Sequence, residues 1–171
     1  QKKGSKVVVI DSYASRTAKE ADWHVCPKPG TDGALAMAMI NVIVEENLVD
    51  QDYVDNYTVG FQELAERAKE RSPEWAEKIT GISADDIRNL AREYANTQPS
   101  AIRIGVALEK NWGGCQAIRA ITSLPAITGA WRHVGGGILQ FPVWEHPYKF
   151  DVICRPDLIP EGTQVVNNLQ L

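Results

Sequence analysis

The sequence has 171 residues, 44% apolar and 23% charged, with 18 Lys and Arg against 22 Asp and Glu for a formal net charge of −4. That length and balance suit a folded chain that buries roughly 70% of the surface it exposes when unfolded, and they exclude intrinsic disorder. No basic block exists to grip a nucleic-acid polymer, and the longest apolar stretch, Ala34 to Val44 with Asn41 inside it, is far short of the about 20 residues that span a bilayer.

Residues 1–6 are polar and lead straight into an apolar run, without the apolar core and small-residue cleavage site of a signal peptide. The sequence is therefore expected to be an internal piece of a longer protein. Val7 to Ile10 reads as a strand buried on both faces of a parallel sheet, with Asp11 at its carboxyl end. Ser15 to Asp22 predicts a short helix, and Trp23 to Cys26 a second strand closed by Pro27 and the Pro29-Gly30 turn. A helix follows, capped by Thr31 or Asp32 and apolar nearly all round through Val44, so it belongs in the core.

Amphipathic helices fill the middle of the chain. Phe61, Leu64, Ala65 and Ala68 share one face; Ser72-Pro73-Glu74 starts the next helix and Thr80-Gly81 ends it. Ser83 with Asp86 three residues on forms a weak capping box ahead of Ile87, Leu90, Ala91 and Tyr94, and Pro99 stops that helix. Ala101 to Val106 is a third strand, and Ala117, Ile118, Ala120, Ile121 and Leu124 mark a helix bent at Pro125 and ended by Gly129. After Gly135, Gly136 and Gly137 the chain turns irregular, with prolines at 142, 147, 156 and 160.

Cys26, Cys115 and Cys154 are too far apart for a short metal-binding pair or a disulfide framework and read as buried small hydrophobes in a reducing compartment. His24, His133 and His146 are isolated, so metal ligation is not expected of them. The five tryptophans read as core or interface anchors.

In an open α/β sheet, ligands collect at the carboxyl ends of the strands. Asp11-Ser12-Tyr13-Ala14-Ser15-Arg16-Thr17 offers there a carboxylate for ribose hydroxyls, small hydroxyls for phosphate oxygens, an aromatic ring and a guanidinium. Lys28-Pro29-Gly30-Thr31-Asp32-Gly33 opens a helix whose free N–H groups favour an anion. Asp32 can also accept two parallel hydrogen bonds from guanine N1–H and N2, which adenine cannot offer. The structural alternative is that Asp11 caps a helical turn and Thr31-Asp32 is an ordinary N-cap. A third cluster, Gly105 to Gly114 with Glu109 and Lys110, leaves the third strand, with a solvated loop as its alternative.

Val7-Val8-Val9-Ile10-Asp11, Arg16-Thr17-Ala18, Ala21-Asp22 and Pro29-Gly30-Thr31-Asp32-Gly33-Ala34-Leu35 resemble the run found in molybdopterin oxidoreductases of the dimethyl sulfoxide reductase family, with formate dehydrogenases, nitrate reductases and polysulfide reductases. The likeness continues through Gly60-Phe61, Ser72-Pro73-Glu74, Ile79-Thr80-Gly81, Leu90-Ala91, Arg119-Ala120 and Thr128-Gly129 to the glycines at 135–137. It implies a molybdenum or tungsten ion held by two pyranopterin guanine dinucleotides. Asp11, Ser12, Tyr13, Ala14 and Ser15 would contact the guanosine or pyrophosphate of one of them, and Gly30, Thr31 and Asp32 would complete its guanine pocket. The family's glutamine in the loop after the third strand is Lys110 here, and the proline after the strand-end aspartate is Ser12.

The same resemblance places the metal ligand and any [4Fe–4S] cysteines outside this segment, so the chain is expected to be inactive alone. Its expected partners are the remaining domains of the parent catalytic subunit and an electron-transfer subunit. The expected fold is α/β, a Rossmann-like three-layer domain with a mostly parallel sheet plus an irregular C-terminal tail. Residues 1–104 would be the nucleotide-binding segment, 105–138 a strand-loop-helix segment, and 139–171 the tail. Two other readings remain at this point: a noncatalytic nucleotide-binding or interaction domain, and the central domain of a thiamine-diphosphate enzyme.

Overall fold

Two short parallel ladders and a central apolar helix organise the chain. A computed structural model describes residues 4–140 and 148–164, in two units, Gln1–Phe141 and Pro142–Leu171. Pro142, Trp144, His146 and Pro147 lie outside the described residues. The first unit runs β1 (Val8–Ile10), α1 (Arg16–Glu20), β2 (Trp23–Val25), α2 (Asp32–Glu45), α3 (Gln51–Tyr57), α4 (Phe61–Ala68), α5 (Pro73–Thr80), α6 (Ala84–Asn96), β3 (Ala101–Arg103), α7 (Gly114–Ile127) and β4 (Gly137–Leu139). The second unit holds a single-turn helix, α8 (Phe150–Cys154), and a tight turn at Pro156–Leu158. Among the described residues no helix is long and apolar enough to cross a membrane.

α2 is the spine of the core because it is apolar on every side. Leu35, Ala36, Ala38, Met39, Ile40, Val42 and Ile43 are all buried, and α4, α5, α6 and α7 pack around them. Its one buried polar side chain is satisfied: Asn41 Nδ2 donates to the Ala68 carbonyl of α4 at 3.1 Å. Replacing Asn41 by an apolar residue in so dry a site would leave the Ala68 carbonyl unpaired. α5 and α6 start as their caps require, with Ser72 Oγ accepting from Trp75 N and Ser83 Oγ from Asp86 N. The Asp86 carboxylate in turn accepts the Ser83 hydroxyl at 2.7 Å.

β1 pairs in parallel with β2 (Val8 opposite Trp23, Ile10 opposite Val25), and β3 with β4 (Ala101 opposite Gly137, Arg103 opposite Leu139). The two pairs form separate sheets among the described residues. β1 is therefore not buried on both faces as expected: Val8 and Val9 are half-buried and Ile10 is exposed, because only one edge of the strand has a neighbour. β3 ends at Arg103, three residues before the expected Val106, once Ile104 N has bonded the Leu139 carbonyl of β4.

α3 and β4 were not legible as periodic runs. α3 rests on Asp50, which accepts from Tyr53 N at 2.9 Å, and β4 begins on the last glycine of the run, too short to show alternation. The cysteine expectation is also corrected. Cys26, Cys115 and Cys154 are all exposed and free, since each sits in a loop or on an outward helix position. Trp23 and Trp75 are half-buried against the core, whereas Trp112 is fully exposed on its turn.

Candidate functional site

The loop after β1 is fixed by its own hydrogen bonds. Asp11 N continues the ladder to the Val25 carbonyl at 3.1 Å. The Asp11 carboxylate accepts from Tyr13 N at 3.1 Å, an Asx turn that reverses the chain at the strand end. Ser15 Oγ then accepts from Ala18 N and caps α1, so its hydroxyl is engaged in the fold. A ring nitrogen of His24, on β2, lies 2.8 Å from the Asp11 carbonyl and ties the two strand ends together. Ser12, Tyr13 and Ala14 are left exposed.

The second loop departs from the simplest capping expectation. Thr31 occupies the N-cap position of α2, but its hydroxyl donates to the Lys28 carbonyl at 2.6 Å and makes no capping bond. No side-chain hydrogen bond caps the first turn of this apolar helix; Ala34 N bonds the Thr31 carbonyl at 3.0 Å, and the positive end of the dipole lies at the loop. Lys28 N bonds the Thr80 carbonyl, which anchors the loop to the end of α5. Gly30 takes φ +77°, a left-handed backbone that favours glycine, and a Cβ there would rest against the Asn111 side chain at 3.7 Å.

The two loops meet. Burial first, then the negative charge of Asp11, hold the Asp32 carboxyl above its ordinary value, with its own N–H working in the opposite direction. Asp11, Ser12, Gly30 and Asp32 line one cavity of about 800 Å³. On the other side of the Gly30–Asp32 loop a cleft of about 1010 Å³ is lined by Thr31, Arg67, Trp75, Trp112 and Arg119 among others. The loop is thus a thin wall with polar groups on both faces.

Lys110 lies exposed on the turn Leu108–Lys110 and lines neither cavity; its neighbour Asn111 lines both. Nothing in the spacing singled out Asn111. Its position comes from Gly114, where any Cβ would overlap the Leu108 carbonyl, so the turn can fold back onto the start of α7. Among the described residues no group of three or more His, Cys, Asp or Glu could hold a metal ion.

Parallel strands alternating with helices, with polar loops at their carboxyl ends, define an open α/β protein. The molybdopterin oxidoreductase family matches residues 1–146, and the chain belongs to that family. It is 43% identical over 163 residues to a probable oxidoreductase, YoaE, of Bacillus subtilis, covering 95% of this chain and 24% of that protein. It is 40% identical to formate dehydrogenase H of Escherichia coli, covering 75% of this chain and 18% of the relative. The solved structure of acetylene hydratase from Pelobacter acetylenicus superposes with a TM-score of 0.74 at 39% identity, over 80% of this chain and 18% of that one. The chain therefore spans a quarter or less of these relatives, and the thiamine-diphosphate reading is set aside by the family match.

Proposed function

We propose that this chain binds the guanosine end of a pyranopterin guanine dinucleotide within a molybdenum- or tungsten-dependent oxidoreductase catalytic subunit. The observation that carries the reading is the convergence of Asp11 and Asp32 on one cavity beside the uncapped start of α2. The residues fit the group. A half-buried carboxylate at Asp32 accepts the paired N–H donors of guanine, and the N-terminal end of α2 favours a phosphate, whose oxygens accept from backbone N–H groups. Asp11 and Ser12 face ribose or pyrophosphate oxygens, Tyr13 offers an exposed ring, and Gly30 makes the tight turn that presents Asp32 to the cavity. Thr31 and Ser15 hold the two loops in shape, while Lys110 lines neither cavity and stays outside this reading. When bound, the cofactor supplies two-electron redox chemistry at its metal, and the side chains of this chain supply position and base selection.

Replacing Asp32 with Ala in the full-length subunit is expected to lower the content of molybdenum and of GMP released on hydrolysis together, by about tenfold or more at limiting cofactor, since a charge-assisted pair of hydrogen bonds is lost. Unchanged contents of both would overturn the guanine role.

A further inference from the structure

Asp11 is held at every polar atom but one, and one of its partners is a side chain standing where a backbone group is due. Its N–H donates to the Val25 carbonyl at 3.1 Å, and its Oδ1 accepts from Tyr13 N at 3.1 Å. Its carbonyl meets the ring nitrogen Nε2 of His24 at 2.8 Å. A carbonyl oxygen only accepts, so Nε2 carries the hydrogen and donates. Oδ2 makes no hydrogen bond among the described residues.

The ladder explains why a side chain is needed there. Trp23 N donates to the Val7 carbonyl and Asp11 N to the Val25 carbonyl, with Val8 opposite Trp23 and Ile10 opposite Val25 between them. A parallel ladder repeats every two residues on both strands, so the amide due at the Asp11 carbonyl belongs to residue 27. That residue is Pro27, which has no N–H. The ladder therefore fails at the residue that reaches the site, and the imidazole of His24, from the middle of β2, makes the missing bond. His24 lines neither cavity, whereas Asp11, Ser12, Pro27 and Asp32 all line the one of about 800 Å³. It acts on the site through Asp11 and not by touching a ligand.

We infer that His24 is a positioning residue for the guanosine site: it replaces the backbone donor that Pro27 removes, fixes the Asp11–Ser12 peptide plane, and so sets the aim of Asp11 Oδ2 and of Ser12 in the cavity. The inference rests on the assignment of Asp11 and Ser12 to the ribose or pyrophosphate of the cofactor. Without the bond the Asp11 carbonyl turns to water, at small cost to the fold because Asp11 is only half-buried. The larger effect falls on binding, since a loop already held in its bound shape loses less freedom when the ligand arrives.

Variants of the full-length subunit test this, with molybdenum and GMP released on hydrolysis as the measure of loading. His24→Leu removes the donor and is expected to lower both contents about three- to tenfold at limiting cofactor, the range of one hydrogen bond. His24→Gln keeps an N–H donor of similar reach and is expected to stay within about twofold of the parent. Pro27→Ala restores an N–H at the ladder position, so adding it to His24→Leu is expected to bring loading back to within about twofold of Pro27→Ala alone. A histidine that merely fills space has no reason to be rescued by a backbone donor. Failure of that rescue overturns the inference, as does unchanged loading in His24→Leu where Asp32→Ala loses it, an outcome that leaves the guanine reading standing. Unchanged loading in both His24→Leu and Asp32→Ala overturns the guanosine reading and the role of His24 together. A readout free of cofactor is the Tm of the unloaded subunit: the drop caused by His24→Leu is expected to shrink by about half or more in the Pro27→Ala background, and additive effects of the two substitutions overturn the exchange of imidazole for amide.

Discussion

Asp32 carries its charge at a disadvantage. Burial and the neighbouring Asp11 hold its carboxyl above the ordinary value of 3.8. A carboxyl with a raised folded-state pKa favours the fold when protonated, so its ionised form lowers stability as pH rises through that pKa. Asp32→Asn is therefore expected to match the parent protein's Tm well below pH 3.8 and to exceed it at neutral pH, in cofactor-free protein. A lower Tm at neutral pH would count against a carboxylate kept for binding rather than for the fold. Gly129 is constrained in the opposite sense, by the fold alone. It has φ +63°, and any Cβ there would overlap the Asp50 carboxylate. Gly129→Ala is expected to cost about 2 kcal/mol or more in urea unfolding, from backbone strain and the displaced carboxylate together. At this scale Ser72 and Ser83 were legible as caps because a serine before a helical stripe has one local use. Thr31 was not, since its hydroxyl had a competing acceptor at Lys28 that only the turn geometry brings near.

α3 shows how an element with little apolar periodicity is held. Its start depends on Asp50, which accepts from Tyr53 N and from Arg132 Nε at 2.9 Å each. Arg132 also reaches Asp52 and lies 5.2 Å over the Tyr53 ring. Burial pushes the Asp50 carboxyl up, but the Tyr53 N–H and the Arg132 guanidinium together more than offset it and leave the pKa below 3.8. Stability from a depressed carboxyl is present above the ordinary value and lost as pH falls through the folded one. The Asp50→Asn variant is expected to be less stable than the parent at neutral pH, with the gap closing below about pH 3.8 in acid titrations followed by circular dichroism. A gap that stays constant with pH would remove the ion pair from the account. α2, α4, α5, α6 and α7 were legible because each carries an apolar stripe or a clear cap. α3 and β4 depend on Arg132 and on the edge of β3, contacts distant in the sequence.

On the scale of the whole molecule the α/β class could be read from strands alternating with helices, but the pairing of strands could not. Nothing in the sequence of β1 says which of its edges will find β2. Val59, Trp112 and Val134 stand almost fully exposed on the first unit, alongside the half-covered β1. The uncovered edge of β1, where Val7 and Ile10 are exposed, is a template for pairing with another chain. The 171-residue chain alone is accordingly expected to self-associate over an about hundredfold rise in concentration in sedimentation velocity. A monomer invariant with concentration would show that this surface tolerates water.

The position of α2 has a further consequence. Its body is the centre of the core and its uncapped first turn forms the wall of the site. A ligand seated on that turn satisfies donors of the helix on which the rest of the unit is packed. Loading and folding are thereby thermodynamically linked, and a subunit awaiting its cofactor should be the more easily unfolded and degraded form. On the proposed seat of the cofactor, the helix that gives the unit its rigidity would also register whether the site is filled.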